Sequence, residues 1–203
     1  MGFYDRVVFP RMMHWMLGRG DVTEYRKWIV PMAAGRVLEV GVGSGLNLPL
    51  YGEVVSEVVG IEPHETLNRM AGQRVSSARV PVTLVKGSAE DLPFDDASFN
   101  CAVMTWTLCS IPDGRGALDE IRRVLKPGGQ LLYIEHGKAP DAGVARWQKR
   151  ITPVWKRCAG GCHLDRPING MIRDQGFTLM DTESGYLGGP RLLSYYSWGR
   201  ASR

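Results

Sequence analysis

Nine residues, Val37-Leu38-Glu39-Val40-Gly41-Val42-Gly43-Ser44-Gly45, constrain this chain more than any other stretch. A run of strand formers delivers the backbone into three alternating glycines, which tolerate left-handed torsions and let a ligand approach the main chain closely. The surrounding pattern alternates in the same way. Arg36–Val40, Glu57–Ile61, Val82–Val85, Phe99–Thr105 and Gln130–Glu135 read as strands. Between them, Leu46–Tyr51 reads as the start of a helix, and His64–Val75 as a helix with Leu67, Met70 and Ala71 on one face. Gly114–Leu125 places Ala117, Leu118, Ile121, Val124 and Leu125 at helical spacing, with Arg122 and Arg123 on the solvent side, until Lys126-Pro127-Gly128-Gly129 stops it. This alternation predicts an α/β fold with a mostly parallel central sheet, an antiparallel edge strand and helices on both faces.

The flanks are less regular. Phe3–Leu17 and Asp21–Met32 read as two helical segments, and Gly143–Trp155 as a helix that Pro153 should break or bend. Arg166-Pro167 should open a short helix ended by Gly176, and Phe177–Glu183 and Leu192–Trp198 read as an antiparallel strand pair at a sheet edge. No linker or repeat interrupts the 203 residues, so one domain is expected: residues 1–32 as a helical lid, 36–137 as a ligand-binding core, and 138–203 as a second side with the terminal strands. Charged residues are 23% and the net charge is only +4 and scattered, which argues against nucleic acid as a partner. Asp5 stands where a signal peptide would be basic, and no apolar run approaches the roughly 18 to 20 residues of a membrane span. A cytoplasmic protein with reduced cysteines is expected. Cys158, Cys162 and His163 have a C-x3-C-H spacing without a convincing fourth partner, so no metal is predicted.

Two acids sharpen the glycine loop. Glu39 precedes Gly41 by two residues, and Glu62 ends the second strand, where a carboxylate accepts ribose hydroxyls. The loop lacks the third glycine of G-x-G-x-x-G, and Glu39 would repel a pyrophosphate, whereas a cationic nucleoside such as S-adenosylmethionine suits both acids. A further segment, Lys86-Gly87-Ser88-Ala89-Glu90-Asp91-Leu92-Pro93-Phe94, follows the third strand. With the E-x-G-x-G-x-G loop, the acid ending strand two and L-K-P-G-G, it resembles the class I S-adenosylmethionine-dependent methyltransferases over about residues 25–134. That resemblance implies a Rossmann-like fold, S-adenosyl-L-methionine as cofactor and S-adenosyl-L-homocysteine as product. It implies cofactor contacts from Glu39, Gly41, Gly43, Gly45, Asn47, Glu62, Pro63, Ser88, Ala89, Glu90 and Thr105, with the Ala89 backbone N–H and Glu90 at the adenine.

The acceptor side carries a second resemblance. Thr105-Trp106-Thr107-Leu108-Cys109-Ser110-Ile111, Glu135-His136, Trp147, Pro153-x-Trp155-Lys156 and Gly161-Cys162-x-Leu164-x-Arg166 are similar to the methyltransferase-like small-thiol S-methyltransferases. This implies a small or lipophilic thiol as acceptor, with hydrogen sulfide or an alkyl thiol among the candidates. Two other readings stay open: N-methylation of a phospholipid headgroup such as phosphatidylethanolamine, and a non-catalytic S-adenosylmethionine-binding module. Deprotonating a thiol suits an imidazole, so His136, after the strand that ends near the crevice, and His163, in a glycine-rich loop, are the candidate catalytic bases. Trp106, Trp147 and Trp155 are candidates for an apolar acceptor pocket. The amphipathic pattern of Val7, Val8, Met12, Trp15 and Met16 with Arg6, Arg11 and Arg19 fits either a lid or a peripheral membrane contact, and the scattered basic residues favour the lid.

Overall fold

The computed structural model describes residues 2–203. Seven strands form one sheet: β1 (Gly35–Val40), β2 (Val55–Ile61), β3 (Val82–Val85), β4 (Phe99–Thr105), β5 (Leu125–His136), β6 (Thr178–Tyr186) and β7 (Tyr195–Ser202). Their order is β3-β2-β1-β4-β5-β7-β6, with β7 antiparallel to both its neighbours and every other pairing parallel. The chain thus runs outward from β1 on one side, then crosses back to β4 on the other. Such a switch point leaves a crevice at the carboxyl ends of β1 and β4.

Side-chain alternation along these strands builds a core on each face. Leu38, Val40, Val59, Ile61, Ala102 and Met104 point to one face. There they meet Leu118 and Ile121 of the helix α4 (Gly114–Val124) and Ile172 of α6 (Ile168–Asp174). Val37, Val58, Val103, Leu132 and Ile134 point to the other, against Ile29 of α2 (Gly20–Ile29), Val30 and Tyr51. Asp113 caps α4 by accepting the Gly116 N–H at 3.0 Å, as the sequence pattern before this strongly amphipathic helix allows.

Four expectations change. Leu46–Tyr51 does not open a helix: only a single 3₁₀ turn, Leu48–Leu50, forms before β2, because Pro49 has no N–H to continue it and the connection is short. Leu48 and Tyr51 fill that face of the sheet as loop residues instead. Pro153 does not end its helix, α5 (Ala142–Cys158); Pro153 and Lys149, whose carbonyl it leaves without an intrahelical donor, are both exposed, so the lost bond falls on the solvent side of the helix. The last strand lies further along than Leu192–Trp198 and runs to Ser202; Gly199 (φ +144) lies opposite an irregularity in β6 between Leu179 and Thr182, and an added Cβ there would stand 2.1 Å from the Asp181 carbonyl oxygen. Arg123 lies on the solvent side of α4 but is only partly exposed. Its guanidinium donates to the Leu92 and Phe94 carbonyls and pairs with Asp96 and Glu120, pinning the loop that follows β3.

The amino-terminal segment packs as a π-helical turn (Tyr4–Val8), α1 (Phe9–Leu17) and α2. No helix among the described residues is long and apolar enough to cross a membrane.

Candidate active site

The glycine loop turns the chain off β1 through left-handed torsions at Gly41 (φ +70), Gly43 (φ +55) and Gly45 (φ +77). A Cβ on Gly41 would lie 2.4 Å from Thr107 Cγ2, whereas one on Gly43 would meet nothing nearer than 3.8 Å and would occupy open cleft. The loop amide of Gly43 donates to Glu62 Oε2 at 3.0 Å, and the His64 amide donates to Glu62 Oε1 at 2.9 Å. Each oxygen keeps a free lone pair. Burial pushes the Glu62 carboxyl up from its ordinary value, and the two amides oppose that shift. Across the cleft, Ser88 Oγ donates to Glu90 Oε2 at 2.9 Å and the Asp113 amide donates to Glu90 Oε1 at 2.7 Å, so Glu90 ties the loop after β3 to the start of α4. These elements enclose a cavity of about 640 Å³, within the usual range for small-molecule sites. Pro63, Ala89 and Thr105 also line it.

Glu39, Gly45 and Asn47 do not line the cavity; they form the layer behind it. Arg26 of α2 does line it, although it is 4% exposed. Its Nη1 donates to Asn47 Oδ1 at 2.6 Å and Thr105 Oγ1 at 2.9 Å, and its guanidinium lies 4.7 Å from the centre of the Trp106 ring. Burial lowers the Arg26 pKa to about 10, so it stays charged at neutral pH. Glu39 accepts the Tyr51 hydroxyl at 3.0 Å, and burial raises its pKa to about 7, against the pull of Tyr51 and Arg26. The charge presented to a ligand here is therefore the arginine's. Periodicity offered a signal for it: Val22, Arg26 and Ile29 share one face of an amphipathic helix, which places Arg26 on the buried side.

The Glu39 shift has a measurable sign. Its folded pKa of about 7 exceeds the ordinary 4.5, so its contribution to stability is fully present below 4.5 and is lost as pH rises through about 7. Glu39→Gln, which keeps an acceptor for Tyr51, is expected to flatten the stability–pH curve across that window by on the order of a few kcal/mol. Urea melts at pH 4.5, 6 and 8 on both proteins check this; parallel curves would reject the shift.

Tyr4, Asp5, Phe9, Met13, His14 and Leu17 form the outer wall of the cavity. Four hydrogen bonds hold this segment across the mouth: the Tyr4 hydroxyl to the Cys158 carbonyl at 2.7 Å, His64 Nε2 to the Asp5 carbonyl at 2.8 Å, the Thr66 hydroxyl to the Arg6 carbonyl at 3.1 Å, and His14 Nδ1 with Ser44 Oγ at 2.8 Å. Burial and Arg74 lower the His14 pKa, which disfavours the imidazolium form beside the glycine loop. His64 Nδ1 is buried without a partner among the described residues. Neither histidine stood out in the sequence: His14 reaches the cavity only through the packing of the amino-terminal segment, and His64, on the loop after β2, shows its partner only when that segment has packed.

Comparison with known proteins agrees with this geometry. Residues 38–133 match the family model described as "Methyltransferase domain". The chain is 37% identical over 145 residues to the phosphatidylethanolamine N-methyltransferase of Cereibacter sphaeroides, covering 69% of this chain and 68% of that protein. The chain belongs to the class I S-adenosylmethionine-dependent methyltransferases. Within that family it is also 34% identical over 140 residues to Thiol S-methyltransferase TMT1B of Homo sapiens, covering 66% of this chain and 57% of that protein. It spans little more than half the length of the thiol S-methyltransferases it matches. The N-methyltransferase NodS from Bradyrhizobium japonicum WM9, solved with S-adenosyl-L-homocysteine, superposes with a TM-score of 0.74 at 15% identity, over 98% of this chain and 97% of that one. At that identity the likeness speaks for the fold.

The two histidines singled out from the sequence stand behind the cavity wall. His136, at the end of β5, stacks on Tyr196 at 4.4 Å and bonds through Nε2 to the Leu193 carbonyl at 2.8 Å. His163 contacts the Cys109 carbonyl through its amide at 2.7 Å and Nδ1 at 3.1 Å. Neither lines the cavity. Of the three tryptophans, only Trp106 does, at a strained φ of +56; Trp147 is exposed and Trp155 packs beside Cys109 and Cys162. The loop carrying Trp106 and Thr107 is anchored by Glu135, which accepts the amides of Thr107, Leu108 and Cys109 at 2.7, 2.9 and 3.0 Å, and by Arg166, which donates to the Leu108 carbonyl.

Proposed function

We propose that this chain transfers a methyl group from S-adenosylmethionine to a small or lipophilic thiol. The residues present suit the donor. Glu62 offers two free lone pairs to a ribose diol, the open Gly43 lets the nucleoside approach the backbone, and Ser88, Ala89 and Glu90 face the position assigned to adenine. Arg26 is the partner proposed for the amino-acid carboxylate, in place of the direct contact that the sequence suggested for Glu39. When bound, S-adenosylmethionine supplies an electrophilic methyl group, and the leaving sulfur takes the electron pair of the broken bond as a neutral thioether.

The observation that carries the thiol reading is the predominantly apolar outer wall, in which Phe9, Met13, Leu17, Trp106 and Ile111 outnumber the polar Asp5 and His14. The thiol first gives its proton to solvent; the thiolate then meeting a sulfonium annihilates charge, so dry apolar walls favour that transition state over separated ions. Methylating an amine leaves a cation and calls for acids and aromatic rings at the acceptor; Asp5, Phe9 and Trp106 are the residues of this wall that would serve it. His136 and His163, behind the wall, are not placed in contact with the acceptor by this proposal. The segment over residues 3–17 acts as the lid that excludes water, and its exposed Phe3, Val8 and Trp15 are the face open to a membrane surface.

A panel offering labelled S-adenosylmethionine with hydrogen sulfide, alkyl thiols, aryl thiols and phosphatidylethanolamine vesicles tests the acceptor. Transfer to at least one thiol class is expected to exceed transfer to lipid by more than about tenfold, or about 1.4 kcal/mol of barrier. Transfer to lipid alone would reject the thiol reading. Absence of S-adenosylhomocysteine binding by calorimetry would reject methyl transfer altogether.

A further inference from the structure

Three chain segments that are remote in sequence bring soft donor atoms together outside the cavity. Cys109 lies on the loop after β4, His136 at the end of β5, and Cys162 in the turn after α5. One ligand atom of each lies within 4.8 Å of the other two, and Cys162 Sγ is 3.5 Å from His136 Nδ1. Both thiols are buried, in a pocket walled by Leu164, Ile151, Trp155 and Leu193. The imidazole is held in place: Nε2 bonds to the Leu193 carbonyl and the ring stacks on Tyr196. An N–H on Nε2 leaves the Nδ1 lone pair directed at Cys162, the arrangement in which a backbone carbonyl orients a metal-binding histidine.

The Cys162–His136 separation of 3.5 Å is that of a tetrahedral zinc centre, and the other two fall within 4.8 Å. With Zn–S near 2.3 Å and Zn–N near 2.0 Å, a tetrahedral centre sets S···N at about 3.5 Å and S···S at about 3.8 Å. Two thiolates and a neutral imidazole also select a soft or borderline d10 ion over magnesium or calcium. We propose that Cys109, His136 and Cys162 bind one Zn²⁺ ion, with solvent completing a fourth position. The thiols lose their protons to solvent on binding, and no electron transfer is involved. The ion cross-links the loop after β4 to β5 and to the turn after α5. Ser110 and Gly160, neighbours of those ligands in sequence, line the cavity, so the ion fixes the wall on which the acceptor would rest. The proposal holds whichever acceptor the enzyme uses. The C-x3-C-H run read from the sequence is not the site: Cys158 is exposed, and the ligands come from two loops and the end of β5.

Reduced, chelator-treated protein is titrated with Co²⁺ as a spectroscopic probe, then with Zn²⁺. The expected result is about one Co²⁺ per chain with tetrahedral d–d bands and sulfur-to-cobalt charge transfer, displaced by Zn²⁺. Cys162→Ser and Cys109→Ser should lose the charge-transfer intensity in part or whole, whereas Cys158→Ser should retain it. Should the serine variants fail to fold, protection of Cys109 and Cys162, but not Cys158, from iodoacetamide by Zn²⁺ in the native protein identifies the ligands. Failure to take up Co²⁺, bands unchanged in both serine variants, or a Cys109–Cys162 disulfide forming in place of metal uptake would overturn the site.

Discussion

Glu62→Ala is expected to weaken S-adenosylhomocysteine binding by about two orders of magnitude. Hydrogen bonds to a charged group contribute about 1.5–3 kcal/mol each, and the lost carboxylate is proposed to make two to the ribose. It also leaves the Gly43 and His64 amides without their acceptor, so the glycine loop loses its anchor at the same time. Glu62→Gln should not rescue. Both carboxylate oxygens already accept a backbone N–H, and an amide must turn its NH₂ toward one of those donors. Because burial holds the Glu62 pKa above the ordinary carboxylate value, wild-type affinity should also begin to fall on acidification at a higher pH than for an exposed acid. Calorimetric titration of wild type and both variants across pH 4.5–8 is the measurement. Affinity in a folded Glu62→Ala protein within about threefold of wild type, roughly 0.65 kcal/mol, would remove Glu62 from the site.

Gly41→Ala should be nearly as damaging, for a steric reason. An L-residue at φ +70 costs about 1–2 kcal/mol, and the new Cβ would stand 2.4 Å from Thr107 Cγ2 and 2.6 Å from Thr107 Oγ1. Thr107 cannot yield easily, since its amide is held by Glu135. The loop must move instead, carrying the Gly43 amide away from Glu62. A loss in S-adenosylhomocysteine affinity of at least about tenfold, or 1.4 kcal/mol, is expected. The double variant Gly41→Ala/Thr107→Ala removes both colliding atoms and should recover part of that loss, leaving the torsional cost. No recovery in the double variant would mean that torsion alone carries the effect, and full affinity in the single variant would show that the loop tolerates a side chain.

The local sequence specified much of the fold because its signals are short-range. Alternating apolar residues in β1, β2, β4 and β5, the stripe of α4 and the glycines after β1 each report a period or a torsion within a few residues. The same holds for Glu62 at the end of β2. Of the two misplaced elements, one failed locally, since Pro49 halted a helix that the loop motif suggested, and the other did not, since the extent of β7 is set by its pairing with β5 and β6.

The long-range pairings needed the tertiary structure. From sequence, Glu39 looked like the charged contact and Arg26 like an ordinary helical residue. In the folded chain Glu39 turns inward to Tyr51, while Arg26 reaches the cavity across Asn47 and Thr105. His136 and His163 were legible as histidines near a crevice, but a strand's end does not reveal on which side of the wall its side chain falls. Likewise Cys109, His136 and Cys162 share no motif. Sequence by itself determined the nucleoside half of this protein, since each feature there is written within one loop. Only packing decided the acceptor half, because its wall is assembled from the amino-terminal segment, the loop after β4 and the turn after α5, whose side chains meet only when the sheet has formed.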